Sequence, residues 1–167
     1  MPFNRWERYP ILFFEVCVHM NKDVLISIKG TYTGEETSDS LDLTTVGNFY
    51  RRNDSYYIRY QESEATGYEG CTTTVRVEAD QRVTISRSGK AKSQLILEKQ
   101  RRHLCHYDTG MGAFTVGVFP NLIESDLTDQ GGAVHFRYTL DINSSFASKN
   151  DVVIQVRVSE APQVRES

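Results

Sequence analysis

The clearest strand pattern in the chain is that of SYYIRYQESEATGYEGCTTTVRVEADQRVTISRSG, residues 55–89. Three runs in it, SYYIRYQES, CTTTVRVEA and RVTISRSG, alternate apolar and polar side chains and are rich in β-branched and aromatic residues, which is typical of half-buried strands. The segments between the runs contain the glycine, aspartate and small polar residues of tight turns. The stretch therefore predicts three strands joined as antiparallel neighbours.

The same pattern continues on both sides of this stretch, at the 8–12-residue spacing typical of barrels and sandwiches. The further runs are KDVLISIKGTYT (22–33), SLDLTTVGNFYRR (40–52), KSQLILEK (92–99), HLCHYDT (103–109), AFTVGVF (113–119), LIESDL (122–127), AVHFRYTLDI (133–142) and VVIQVRVS (152–159). No convincing helical period interrupts them. We therefore predict an all-β protein, a single antiparallel up-and-down β-barrel of about 8–10 strands.

Length and composition set the domain organisation. A chain of 167 residues suits one domain, and 39% hydrophobic residues with a net charge of −3 indicate a globular protein rather than a general polyanion binder. Regular alternation begins only near Met20. We therefore divide the chain into an irregular extension at 1–19, which is a candidate for untranslated upstream sequence, a barrel domain at 20–159 and a flexible tail at 160–167.

The cysteines and the N-terminus indicate a cytoplasmic protein that has no membrane partner. Cys17, Cys71 and Cys105 are odd in number and lack zinc-like spacing, which favours reduced thiols. The apolar N-terminal run is interrupted by Glu15, so it is too short and too charged to cross a bilayer.

Short connections also predict that successive turns alternate between the two ends of the barrel. One end then collects the turns at 33–40, 65–70, 88–90, 109–112 and 129–132. The other end collects those at 53–54, 80–81, 99–102, 120–121 and 143–151.

This sorting predicts that the two ends differ in composition. We name the first end the glycine rim, since eight of the 11 glycines fall there: Gly34, Gly67, Gly70, Gly89, Gly110, Gly112, Gly131 and Gly132. Its acidic residues are Glu35, Glu36, Asp39, Glu64, Glu69, Asp108 and Asp129. The opposite end, the basic rim, carries Arg51, Arg52, Arg82, Lys99, Arg101, Arg102 and Lys149. The glycines are explained either by turn geometry alone or by mobile loops around a pocket mouth.

Alternation within each strand places a set of polar side chains on the inner face, close to the glycine rim. The apolar faces of five runs continue into Glu62, Thr73, Arg87, Ser93 and Tyr107. Tyr60 precedes Glu62 on the same face. We take these six residues as the candidate ligand-binding site.

An arginine that continues an apolar face needs a partner, because an unpaired buried charge is costly. Glu62 is the obvious internal partner of Arg87. One interpretation is a structural ion pair that plugs the barrel end. The other is that Arg87 and Tyr107 hold the polar head of a small amphipathic ligand. The apolar part of such a ligand would lie among Tyr56, Ile58, Leu95 and Phe136.

Catalytic, metal and cofactor chemistry finds no support in the sequence. His103 and His106 face opposite ways on a strand, and pairing His103 with Cys105 or His106 with Asp108 supplies only two ligands. The sequence contains no nucleophile elbow, P-loop, dinucleotide fingerprint or zinc motif. We therefore predict a protein that is not an enzyme and uses no metal or cofactor.

The basic rim supports a second hypothesis, an interaction module for a protein or RNA partner. Its arginines would contact phosphates, with Phe49 and Tyr50 available for stacking. A solvated charged rim is the commoner explanation, so nucleic acid is the less favoured partner.

Several separated segments resemble one known family. KDVLISIKGTYT, SYYIRYQESEATGYEGCTTTVRVE, ISRSGKAKSQLILE, HYDTGMGAFTVGV and GGAVHFRYTLDINSS, spread over about residues 20–159, occur in the order found in the YwiB-like family of bacterial proteins. That family is a domain of unknown function with a calycin-type, lipocalin-like barrel. The resemblance implies such a barrel here and supports Met20 as the start, but it brings no catalytic residues. Calycin-type barrels often carry small apolar ligands, which favours the ligand hypothesis by analogy of fold only.

Overall fold

The computed structural model describes residues 22–108 and 111–158, and in that part almost all regular structure is β-strand. The strands are β1 (Lys22–Thr33), β2 (Ser38–Arg52), β3 (Ser55–Gln61), β4 (Thr72–Glu78), β5 (Arg82–Ser88), β6 (Ser93–Glu98), β7 (His103–Asp108), β8 (Ala113–Ser125), β9 (Gly131–Ile142) and β10 (Ser145–Val158). A single 3₁₀ turn, Glu64–Thr66, lies between β3 and β4. The proposed extension, tail and Cys17 lie outside the described residues.

The strands form one antiparallel sheet that curls into a nearly closed barrel. Their order is β6-β5-β4-β3-β2-β1-β10-β9-β8-β7, so every neighbour is also a neighbour in sequence except β1 and β10. The two outer strands meet at a seam. There the Glu98–Arg101 bridge lies at the β6–β7 turn, and the Ile96 amide donates to Cys105 Sγ at 3.3 Å. This architecture confirms the predicted all-β, up-and-down barrel.

The long strands β1, β2, β8, β9 and β10 build one wall, and the shorter strands β3 to β7 build the other. Inward side chains alternate along each strand, as in Val24, Ile26 and Ile28 of β1, which are at most 4% exposed. Phe49 and Phe136 are among the largest fully buried side chains of the core. The core therefore follows directly from the period-two pattern of the sequence.

Two predicted turns need correction. The turn expected at 143–151 is confined to 143–144, because β10 already begins at Ser145. The segment at 120–121 was expected to separate two strands, but both runs belong to β8, and the ladder with β9 shifts register between Pro120 and Leu122. A bulge accommodates an extra residue, and a strand tolerates proline there because one ladder hydrogen bond is already missing. Pro120 and Asn121 therefore mark an irregularity within a strand.

This error reverses the assignment of every later turn. The β8–β9 turn lies at the basic rim, where Asp129 Oδ1 accepts from the Tyr56 hydroxyl at 3.1 Å and lies 3.7 Å from Arg51 Nη1. Gly131 and Gly132, which follow this turn at the start of β9, also lie at the basic rim. Conversely, Lys149 pairs with Thr33 next to the β1–β2 turn, so it lies at the glycine rim.

The glycine rim therefore contains fewer glycines than predicted. Those that the structure places there are Gly34, Gly67, Gly70, Gly89 and Gly112, while Gly110 lies outside the described residues. The predicted hairpin at Asn53 and Asp54 is confirmed: both have positive φ, 50° and 65°, the geometry of a type I′ turn.

Candidate ligand-binding cavity

Four of the predicted site residues form one row across neighbouring strands. Tyr60 of β3 pairs with Thr73 of β4, Thr73 with Arg87 of β5, and Arg87 with Ser93 of β6. Because directly paired residues point to the same face of a sheet, the whole row faces the interior. The local alternation of four separate strands thus produces one polar layer.

The next interior layer toward the basic rim is apolar. Ile58, Val75, Ile85 and Leu95 form a parallel row, two residues along each strand from the polar one. Ile58 and Val75 are at most 1% exposed. The barrel interior therefore changes from polar at the glycine rim to apolar below it.

A cavity of about 590 Å³ spans this change of polarity. Its apolar walls include Ile28, Val75, Ile85, Leu95, Phe136 and Ile154. Its polar end includes Glu62, Arg87, Ser93 and Tyr107, together with Ala65, Thr66 and Tyr68 of the β3–β4 loop. This volume lies within the range of small-molecule sites, about 300–1,000 Å³.

Glu62 is held at the polar end by three neighbours. Its Oε1 accepts from the Thr73 hydroxyl at 2.5 Å and lies 3.4 Å from Arg87 Nη2, while its Oε2 accepts from the Thr66 hydroxyl at 2.7 Å. The Glu62 side chain is 1% exposed and that of Arg87 is 16% exposed. The predicted internal pairing of Glu62 with Arg87 is therefore present.

Arg87 is less fully bonded than its partner. The only hydrogen bond of its side chain among the described residues is the long contact to Glu62, and its Nε is shielded from solvent without a partner. One face of the guanidinium lies 3.7 Å from the centroid of the Tyr68 ring, a cation–π contact. The Glu62 carboxylate thus accepts from well-placed neighbouring donors, whereas Arg87 retains N–H donors that have no acceptor.

Tyrosine hydroxyls surround this pair. Tyr68 and Tyr107 are hydrogen-bonded hydroxyl to hydroxyl at 2.9 Å, and Tyr32, Tyr60 and Tyr138 also line the cavity. Burial raises the pKa of Tyr32, Tyr60 and Tyr138 above the usual value. Burial and the bond to Tyr107 raise the pKa of Tyr68 to about 12. These four phenols are therefore neutral near pH 7 and keep their protons for donation.

The structure places five of the six predicted site residues on the cavity wall: Tyr60, Glu62, Arg87, Ser93 and Tyr107. Thr73 is the sixth, and it contributes indirectly because its hydroxyl donates a hydrogen bond to Glu62. The expected apolar subsite needs correction. Leu95 and Phe136 line the cavity, but Tyr56 stacks on Phe49 near the basic rim and Ile58 packs within the closed core.

Sequence reasoning missed three of the cavity tyrosines. Tyr32 and Tyr138 continue the inward alternation of β1 and β9, so the strand pattern contained the signal for both. Tyr68 lies in a loop, where alternation says nothing. Its position in the cavity wall depends on how that loop folds back over the barrel.

The described histidines and cysteines lie apart from the cavity, and His135 Nε2 lies 2.7 Å from Asp151 Oδ1. His103 Nε2 lies 3.2 Å from Glu98 Oε1, His106 is exposed on the other face of β7, and Cys71 and Cys105 are free and buried. Across the described ranges, no group of three or more His, Cys, Asp or Glu side chains is placed to hold a metal ion.

Acidic neighbours neutralise much of the basic rim. The ion pairs are Arg51 with Asp129, Arg82 with Glu78 and Glu98, Lys99 with Asp80, Arg101 with Glu98, and Arg102 with Asp141. Phe49, expected to be available for base stacking, is 2% exposed. Tyr50 is stacked on Tyr57 at 4.9 Å. The expected basic, aromatic surface is therefore mostly paired or buried.

The fold and the cavity define a class: a small antiparallel β-barrel with an internal, polar-ended cavity, consistent with a calycin-like up-and-down barrel. The chain belongs to the family described as a domain of unknown function (DUF1934), whose model matches residues 26–154. This confirms the resemblance found in the sequence.

A solved structure agrees with this assignment. The crystal structure of ywiB protein from Bacillus subtilis superposes with a TM-score of 0.72 at 17% sequence identity, covering 85% of this chain and 96% of that chain. At this identity the similarity concerns the fold. No curated protein matches the chain significantly. None of the helical structure in residues 22–108 and 111–158 has the length and apolarity that a membrane crossing needs.

Proposed function

We propose that this protein is a non-catalytic binding protein that holds a small amphipathic ligand inside the barrel. The observation that carries this proposal is the cavity of about 590 Å³, which has an apolar wall at one end and, at the other, the buried Glu62 paired with the partly buried Arg87. A ligand with an apolar body and a polar head matches both ends at once.

The unused donors of Arg87 indicate the polarity of the head group. A guanidinium has five N–H donors, and a buried donor without a partner costs about 1–3 kcal/mol. Tyr60, Tyr107 and Tyr138 lie around the same end with further hydroxyls. An anionic head group, such as a carboxylate, supplies the acceptors that these donors lack.

The character of the cavity also supports binding without catalysis. A general base needs a pKa near the working pH, whereas burial moves the phenols of Tyr60 and Tyr138 further from it. No histidine or cysteine among the described residues lines the cavity. The interaction module remains the second hypothesis, but the acidic partners of the basic rim give it less support.

Native mass spectrometry tests the proposal directly. The protein, purified mildly after exposure to a bacterial extract, is expected to carry a stoichiometric small-molecule adduct that denaturation releases. Arg87→Met is expected to lose this adduct. Arg76→Met is the matched control, because Arg76 belongs to the neighbouring strand and pairs with Glu78 at 3.4 Å, away from the cavity. An adduct retained in Arg87→Met would overturn the assigned contact.

A second variant keeps the test valid if Arg87→Met fails to fold. Glu62→Gln combined with Arg87→Met removes both charges and leaves no buried carboxylate without a cation. This double variant is expected to fold and to lose the adduct. If the wild-type protein carries no adduct and takes up no amphipathic anion, the proposal is wrong.

A further inference from the structure

The β3–β4 loop, residues 62–71, folds back over the polar end of the cavity. The Glu62 amide donates to the Cys71 carbonyl at 2.9 Å and closes the base of the loop. The remaining backbone hydrogen bonds described for the loop stay inside it: Thr66 to Ser63, Gly67 to Glu64 and Cys71 to Tyr68. The loop is thus a compact unit that no backbone ladder ties to the cavity walls.

Side chains make the contacts between this loop and the barrel interior. Tyr68 covers the guanidinium of Arg87 with its ring and bonds the Tyr107 hydroxyl. Thr66 bonds Glu62 at the loop's own base. Tyr68 therefore makes two contacts with groups that a ligand's polar head is expected to use.

The backbone around Tyr68 suits a moving segment. Gly67 and Gly70, one and two residues away, have φ of 80° and 88°, a region that glycine enters without steric cost. A Cβ at Gly67 would have no neighbour within 4 Å, so this part of the loop is not packed against the barrel. At the base, by contrast, a Cβ at Gly89 would lie 2.5 Å from the Gly70 carbonyl oxygen, which shows tight packing.

We propose that residues 63–69 are a flap over the cavity, that Tyr68 is the latch that holds it closed, and that a ligand's head group displaces Tyr68 from Arg87. The last part of this proposal rests on the proposed binding function. The first two parts do not, because they concern the ligand-free protein.

The latch has a calculable consequence for affinity. When only a fraction of the molecules has an open flap, the apparent dissociation constant equals the intrinsic one divided by that fraction. Removing the latch raises the open fraction. Tyr68→Ala is therefore expected to bind an amphipathic anion more tightly and faster, although it removes an aromatic ring from the cavity wall.

Flap opening can be measured without any ligand. Ser93 is 8% exposed and lines the cavity, so Ser93→Cys places a thiol behind the flap. The alkylation rate of this thiol by iodoacetamide, followed by peptide mass spectrometry, reports access to the cavity. Buried Cys105 in the same molecule is the control for global unfolding.

In the Ser93→Cys protein, Tyr68→Ala is expected to raise the alkylation rate at residue 93 by about tenfold or more, the factor that corresponds to about 1.4 kcal/mol, with no change at Cys105. Tyr57→Ala, a tyrosine on the outer face of β3, is the matched control and is expected to change neither rate. An unchanged rate in Tyr68→Ala would overturn the flap. If Cys105 also becomes reactive, Tyr68→Phe decides: it removes only the bond to Tyr107, and it must still accelerate alkylation.

A second measurement separates the latch from the binding function. Anilinonaphthalene sulfonate is a fluorescent amphipathic anion, and its binding is followed by titration and stopped flow. Faster and tighter binding in Tyr68→Ala supports competition for Arg87, whereas weaker binding shows that Tyr68 is a ligand contact and overturns it. If no variant binds the probe while alkylation still depends on Tyr68, the flap stands and the proposed function fails.

Discussion

Arg87 Nη2 lies 3.4 Å from Glu62 Oε1 inside the barrel, although the two residues are 25 positions apart in the chain. They meet because Arg87 occupies the interior row of Tyr60 and Thr73, and Glu62 is the next inward residue after Tyr60. A charged pair in this position costs desolvation energy. It also sets the polarity of one end of the cavity.

Removing one partner of this pair is expected to be more harmful than removing both. Arg87→Met leaves the carboxylate of Glu62 buried beside hydroxyls only, and the free energy of unfolding should fall by about 3 kcal/mol. Glu62→Gln together with Arg87→Met should recover most of this loss. Urea denaturation of both variants measures it. Equal destabilisation of the single and double variants would show that packing, and not the unpaired charge, is the cause.

Gly47 is expected to be intolerant of any side chain. A Cβ there would overlap the Arg59 carbonyl oxygen of β3 and lie 2.7 Å from Ile26 Cδ1, so the β2–β3 ladder must shift. We expect Gly47→Ala to cost about 2 kcal/mol of unfolding free energy.

Gly30→Ala is the matched control for Gly47→Ala. Gly30 is also inside a strand, but only the side chain of Tyr32 lies near its Cβ position, at 3.1 Å. It is expected to cost less in the same thermal or urea denaturation. A Gly47→Ala protein as stable as the Gly30→Ala protein would contradict the close approach of β2 and β3.

The hairpin between β2 and β3 is expected to discriminate between residue types at position 54. Asp54 has φ of 65°, which a β-branched residue adopts only with strain. Asp54→Val should lower the free energy of unfolding by about 1–2 kcal/mol, whereas Asp54→Gly should leave it unchanged or raise it. If both variants have the same urea midpoint, the positive φ is not a constraint in solution.

Alkaline pH is expected to destabilise the protein through its buried tyrosines. Burial raises the pKa of Tyr60 and Tyr138 above the ordinary value of 10. Between pH 10 and the raised pKa of the folded state, the unfolded chain loses the phenolic protons while the folded protein keeps them. The stabilisation is therefore complete well below pH 10 and falls as the pH rises further. Between pH 10 and its raised folded-state pKa, each such tyrosine contributes about 1.4 kcal/mol per pH unit to the slope.

Tyr138→Phe tests this dependence. The variant lacks one of the titrating phenols, so its free energy of unfolding should fall less steeply between pH 9 and pH 11 than that of the wild-type protein. Urea denaturation at several pH values gives both slopes. Parallel slopes would mean that Tyr138 ionises normally in the folded state.

Most strands and their inner faces could be predicted from the order of residues, apart from the false turn within β8 and the late start assigned to β10. Alternation is a property of each strand alone, since successive side chains point to opposite faces, so it correctly directed Glu62, Thr73, Arg87 and Ser93 inward. The hairpin at Asn53 and Asp54 could also be predicted, because the type of such a turn depends on only two residues.

The ends of the barrel were harder to assign, because that assignment depends on counting strands. Pro120 and Asn121 are typical turn residues, yet β8 continues through them with a bulge. A single extra turn reverses the end to which every later turn belongs. Asp129 and Lys149 were exchanged between the two rims for this reason. Asp129 does lie in a turn, as predicted, whereas Lys149 lies within β10 and not in the turn expected at 143–151.

The presence of a cavity, and the identity of the groups that close it, follow from the three-dimensional arrangement of the strands. Whether inward side chains fill a barrel depends on the distances between opposite walls, which no single strand specifies. The position of Tyr68 over Arg87 likewise depends on the β3–β4 loop folding back across the sheet. The alternation of inward and outward side chains along a strand follows from the order of residues. The volume left between distant strands is set by how the whole sheet curls and closes.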